Sequence, residues 1–188
     1  MHPLSKILVV VIVALFSILS RATGGDAVSP KIIEKFEGFT IIGISVRTSN
    51  AKEQTPAGLI GKQWQRLFQE NLLRKIPNKA DDSIIAAYTD YASDNDGDYT
   101  FVLGAKVNSE KEVPAGMIAV KIPSGRYAVF TSEKGPSYKV VPDLWRRIWA
   151  IPKSAPGGNR AYKTDFEVYD QHAKDPQNSQ IDVCVGIL

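Results

Sequence analysis

The order of predicted elements runs twice along the chain, and that repetition constrains the fold more than any single motif. In the first pass, residues 39–48 (FTIIGISVRT) are rich in β-branched side chains and predict a strand. Thr55 and Pro56 lead into residues 58–76, where Ile60, Trp64, Leu67, Phe68, Leu72 and Ile76 recur at helical spacing. Pro77 and Asn78 stop that helix. Two strands follow, 83–91 and 99–107, joined by an Asp- and Gly-containing turn at 94–98. After a break at Pro114 and Gly116 the order begins again. A short extended run at 116–121 precedes a strand at 125–132. A helix over 142–150 follows, with Leu144, Trp145, Ile148 and Trp149 on its apolar side. Pro152 ends it, and residues 154–159 form a small-residue loop. Strands at 165–170 and 180–187 complete the pass. Two βαββ repeats predict an α+β fold with pseudo-two-fold symmetry: an antiparallel sheet with both main helices on one face. The opposite face, or a cleft between the halves, is then free for a ligand. Few residues match between the two passes, so the repeat is read as one of architecture.

Ahead of this domain, Lys6 precedes an almost purely apolar run at 7–19, and Ser20-Arg21-Ala22 supplies a small-x-small cleavage site. As a helix the run spans about 20 Å, short for a hydrocarbon core of about 30 Å. The expectation is a signal peptide over 1–22, with an uncleaved N-terminal anchor as the alternative. A flexible lead follows over 23–35, and the domain occupies 36–188. On this reading the protein is exported, periplasmic or secreted, and meets a membrane only if 7–19 remains as a tether.

Charge and composition then exclude several classes. Lys6 and Arg21 account for two of the 23 basic residues, so the rest nearly balance the 20 acidic ones. No Lys/Arg cluster interleaved with aromatics appears, and no nucleic-acid partner is expected. A single cysteine, Cys184, permits neither an intramolecular disulfide nor a Cys-based zinc site, and its Val183 and Val185 neighbours predict a buried structural thiol. Two histidines, His2 and His172, build no His-rich site. Residues 94–98 resemble a calcium loop, but the Gly comes too early and no bidentate Glu follows, so a hairpin turn is read there. No cofactor and no metal are expected.

Glu167 is the residue that most suggests chemistry. Alternation in its short strand puts Phe166 and Val168 on one face and Glu167 with Tyr169 on the other. A carboxyl in such a setting has its pKa raised by burial and suits a cationic ligand or proton transfer. The bland alternative is a solvated acid on an edge strand. Trp145 and Trp149 share a helix face, and Tyr88, Tyr91, Tyr127, Tyr138, Tyr162 and Tyr169 lie in or beside predicted strands and loops. Aromatic faces attract cations and wall flat apolar ligands, although each ring taken alone also suits core packing. Trp64 is assigned to the core.

The run at 113–136 (VPAGMIAVKIPSGRYAVFTSEKGP), the helix LWRRIW at 144–149 and the strand DFEVYD at 165–170 together resemble the GyrI-like effector-binding domain. Residues 88–107 are similar to that family's first hairpin. This domain is found in multidrug-sensing and AraC-type regulators, alone in gyrase-inhibitory proteins, and in some hydrolases. The resemblance implies a small-molecule-binding fold with a ligand cleft. It also implies that the acid of the FE-x-Y strand, here Glu167, is functional, with pocket walls drawn from Tyr88, Tyr127, Trp145, Trp149 and Tyr169. The chain departs from the regulators in having no helix-turn-helix segment ahead of Phe39.

Three functions follow in order. The first is a small-molecule-binding protein holding an apolar, cationic ligand outside the cytoplasm, with Glu167 as the charge. The second is a GyrI-like hydrolase using Glu167 as catalytic acid or base on a strained or electrophilic substrate. The third is a protein-interaction module.

Overall fold

The computed structural model describes residues 29–188; the predicted signal segment and most of the lead lie outside the described residues. The elements are β1 (Lys31–Phe36), β2 (Phe39–Ser49), α1 (Asn50–Glu53), α2 (Ile60–Gln69), β3 (Ile84–Thr89), β4 (Asp98–Val107), β5 (Ile118–Ile122), β6 (Gly125–Thr131), α3 (Ser137–Trp149), β7 (Arg160–Tyr169) and β8 (Asp182–Ile187). All eight strands form one sheet in the order β1-β6-β8-β7-β3-β4-β2-β5, and every neighbouring pair is antiparallel.

Pseudo-two-fold symmetry is visible in that order. β1, β6, β8 and β7 on one side correspond to β5, β2, β4 and β3 on the other, with β7 and β3 adjacent at the axis. Each repeat carries a fourth strand, β5 on the short extended run expected at 116–121 and β1 in the expected lead, and that strand is exchanged. β1 precedes β2 but pairs with β6, while β5 precedes β6 but pairs with β2. Residues 31–35, expected to be flexible, are therefore strand, with Lys31, Ile32 and Ile33 opposite Val129, Ala128 and Tyr127.

The exchange forces the sheet to curl. β1 and β2 stand six places apart, which in a flat sheet is roughly 29 Å at about 4.8 Å per strand. Only Glu37 and Gly38 separate them, and that connection reaches at most about 11 Å. The sheet must bend until its ends meet. They meet over the face away from the helices, where Phe36 and Phe39 pack on Phe166 at ring distances of 5.6 and 5.4 Å. This face closes into a core with Ile41, Ile85, Val102, Ile122, Tyr127 and Cys184. The Cys184 thiol is buried there and pushed up to about 12.

Both main helices lie on the other face. α2 applies Leu67 to Ile42, Leu103 and their neighbours, and α3 applies Leu144, Trp145 and Ile148 to Ala128, Phe130, Val183 and Val185. Leu59, just before α2, offers no side-chain cap; Glu53 instead accepts from the amides of Leu59 and Ile60 at 2.9–3.0 Å, placing a negative charge at the helix N-terminus. α2 ends earlier than its periodicity predicts: Asn71 takes a left-handed φ of 51°, and residues Leu72–Lys75 continue as a 3-10 turn. α3 begins earlier, at Ser137, with Pro142 inside it.

Candidate functional site

The strands at the symmetry axis set the site. In the β3–β7 ladder Ala86 faces Glu167, and on the other side Val183 of β8 faces Glu167. The small Ala86 side chain leaves room beside the carboxylate. Alternation turns Glu167 and Tyr169 to the helix face and Phe166 to the closed core, as predicted from the strand. Glu167 is 1 % exposed. Tyr88 OH and Trp145 Nε1 donate to its Oε1 at 2.7 and 2.6 Å, and Tyr169 OH donates to Oε2 at 2.7 Å.

Burial raises the Glu167 pKa above its ordinary value, and the bonds from Trp145, Tyr169 and Tyr88 pull against that rise without cancelling it. Burial, with the Glu167 charge adding to it, pushes the Tyr88 and Tyr169 phenols well up, so both remain donors. Among the described residues no Lys or Arg pairs with Glu167.

Rings extend the cluster in both directions. Tyr88 lies 5.3 Å from Trp145 and 5.5 Å from Tyr99, and Tyr169 lies 4.8 Å from Trp64. Trp64 stacks on Phe68 at 6.0 Å, and Trp145 lies 6.1 Å from Trp149. Phe68 and Trp149, at the outer ends of these pairs, are 45 % and 39 % exposed. The arrangement repeats across the axis. The same number of residues separates Trp64 from Trp145, Phe68 from Trp149, Ala86 from Glu167, and Tyr88 from Tyr169. Comparing the two passes at this one offset would have shown the correspondence of these rings in the sequence, along with the position, Ala86 against Glu167, where an acid stands in place of a small side chain.

The structure thus brings Tyr88, Trp145 and Tyr169 onto Glu167 and sets Trp149 at the rim. It does not bring Tyr127. In β6, Ala128 and Phe130 face α3, so Tyr127 and Val129 turn to the closed core. There Tyr127 packs 4.8 Å from Phe36 and 5.5 Å from Phe166, and its hydroxyl donates to Pro123 O at 3.2 Å. Trp64 packs against the core around Leu67, as assigned from the sequence, and its half-buried ring also meets Tyr169 at the edge of the cluster.

A second acid was missed. Asp165, two residues before Glu167 and fully buried, faces the same side. Its Oδ2 accepts from Arg160 Nη2 at 2.5 Å and Tyr91 OH at 2.8 Å, and its Oδ1 accepts from the Gly186 amide at 2.9 Å. Burial opposes the charge on Arg160, but Asp165, joined by Tyr91 and Tyr162, more than offsets this and holds the guanidinium protonated. A depression of about 440 Å³ along α3, bordered by Glu133, Asp143 and Arg147, includes none of these groups.

Residues 32–187 match the family described as integron-associated effector binding protein. YobU of Bacillus subtilis (strain 168), a candidate transcriptional regulator, is 36 % identical over 146 residues, spanning 77 % of this chain and 89 % of YobU. The crystal structure of an integron cassette protein from the mobile metagenome of Vibrio cholerae is similar at 29 % identity and a TM-score of 0.67, over 85 % of this chain and 96 % of that one. SAV2435, solved bound to tetraphenylphosphonium, shares the fold at 18 % identity and a TM-score of 0.62, over 84 % of this chain and 93 % of its own.

Proposed function

The chain belongs to the integron-associated effector-binding family and carries a GyrI-like small-molecule-binding domain; from that premise we propose that it binds an apolar organic cation, with Glu167 as the counter-charge. The observation that carries this reading is a fully buried carboxylate met by three neutral donors inside an aromatic cluster. An unpaired buried charge is costly, and neutral hydrogen bonds offset only part of that cost. A lipophilic cation supplies the missing charge, while the faces of Trp145, Tyr88, Tyr169 and Trp64 supply apolar and cation–π contact.

The three donors close over the carboxylate. Entry therefore requires Trp145 or a phenol to swing away, and the exposed rings of Phe68 and Trp149 mark the side from which the ligand arrives. That both carboxylate oxygens already accept hydrogen bonds suits a charge-holding role better than a catalytic base. Tetraphenylphosphonium, carried by SAV2435, is a fitting probe. Calorimetric titration is expected to show saturable binding that weakens at least roughly tenfold in Glu167→Gln, from loss of a buried charge pair. Equal affinity in the variant would refute the assignment.

The reading extends to location. The basic, apolar and small-x-small order of residues 1–22 supports export of the domain, so the ligand is met outside the cytoplasm and no nucleic-acid partner is included. Fractionation with intact-mass analysis is expected to recover a chain beginning at Thr23 outside the cytoplasm. A cytoplasmic chain retaining residues 1–22 would overturn this part.

A further inference from the structure

Arg160 sits beside the Glu167 cluster with donors to spare. Its side chain is 6 % exposed. Nη2 is taken by Asp165, but Nε and Nη1 are buried and meet no hydrogen-bond partner among the described residues. Buried N–H groups are ordinarily satisfied, and leaving two of them on one guanidinium unmet is costly. The guanidinium stands 4.4 Å from the Tyr162 ring and 5.8 Å from the Trp145 ring. That same indole donates its Nε1 proton to Glu167. One tryptophan therefore carries the carboxylate at its polar edge and the guanidinium over its face.

The backbone departs from regular strand geometry to make this arrangement. Tyr162 holds a left-handed φ of 48°, an uncommon conformation for an aromatic residue. The β7–β8 register shifts between Arg160 and Asp165. Strain of this kind persists where the surroundings enforce it, and it clusters at ligand sites. The charges are also unequal. Asp165 neutralises Arg160, so of these three groups Glu167 is the one without an opposite charge among the described residues. What the pair of anchors leaves open is one positive charge and one neutral acceptor.

We propose that the effector is a monocation bearing a neutral hydrogen-bond acceptor, such as a ketone, ester or amide oxygen, to which the Arg160 Nε and Nη1 N–H groups donate while the cationic centre faces Glu167. The inference rests on the reading of Glu167 as counter-charge and adds the second anchor. An anionic arm fits less well, because Asp165 already faces the same guanidinium.

The test uses three phosphonium ions on the full chain: tetraphenylphosphonium, and the triphenylphosphonium ions whose fourth ring carries a para-acetyl or a para-isopropenyl group. The last two have nearly the same shape and differ in the acceptor. The acetyl ion is expected to bind roughly tenfold tighter than the isopropenyl ion, as a neutral acceptor does on a charged donor. Arg160→Met is expected to bring the two within about twofold while tetraphenylphosphonium still binds, because the variant removes the donors and leaves Glu167 in place. Arg160→Lys keeps a charge against Asp165 and removes the fork, and serves the same comparison if the Met variant does not fold. Equal binding of the two ions to the unmodified chain, or a preference that survives in the variants, would overturn the proposal while leaving the Glu167 reading standing. Failure of all three ions to bind would remove both.

Discussion

Glu167 and Asp165 are two residues apart on one strand, both buried, and resolved in opposite ways. Asp165 has a guanidinium, a phenol and an amide around it; Glu167 has only neutral donors. A carboxylate with a full cation partner is a structural element, whereas one left with neutral donors holds a charge in reserve. The difference has a consequence for stability. Burial raises the Glu167 pKa above 4.5, so the fold keeps the proton at pH values where the unfolded chain has released it. The stability linked to that proton is complete below the ordinary carboxyl value and is lost as the pH rises through the raised folded value. Glu167→Gln has no such proton to lose. Urea unfolding across a pH series is therefore expected to show the variant gaining on the unmodified protein as the pH climbs above 4.5. A stability difference constant with pH would mean that the carboxyl titrates alike in both states.

At the scale of elements, what the sequence revealed depended on whether the signal was local. The first helix was legible because Ile60, Trp64 and Leu67 mark one face, and β7 was legible because its alternation places Glu167 and Tyr169 together. β1 was not, because KIIEKF carries three charges and acquires strand structure only through β6, far away in the sequence, and through the Phe36 ring on Phe166. The start of α3 was misplaced because Pro142 resembles a first helical residue. It is accommodated further in because the carbonyl it cannot serve belongs to Tyr138, which is exposed. Tyr127 was placed in the pocket by the resemblance, and a strand reveals its alternation but not which of its two sides meets the helices; the packing of Phe130 of β6 against α3 decided that. Arg160 escaped because the register shift and the left-handed Tyr162 destroy the parity from which its side could have been read.

For the whole molecule, the pseudo-two-fold axis turns one ligand site into two overlapping half-sites. Tyr88 and Tyr169 are equivalent under the repeat, as are Trp64 and Trp145, and both tyrosines donate to the one carboxylate. The acid is not repeated, since its counterpart is Ala86 directly across the β3–β7 ladder. Two carboxylates at these facing positions would repel each other in a buried setting, which is reason enough for a single acid at the axis. The symmetry makes a strong demand on the site. Glu167→Ala alone should lose cation binding by roughly 2–5 kcal/mol, the usual cost of removing one member of a buried charge pair. Combining it with Ala86→Glu moves the acid to the equivalent position, where both tyrosines remain within reach and Trp64 takes the place of Trp145. The double variant is expected to recover much of the lost affinity for tetraphenylphosphonium. It should, however, lose any preference conferred by Arg160, because the first repeat has no residue over Trp64 corresponding to that guanidinium: the position equivalent to Arg160 is Lys79, which pairs with Asp82 outside the cluster. A double variant that binds no better than Glu167→Ala would show that the two halves share a fold without sharing the geometry that a cation requires.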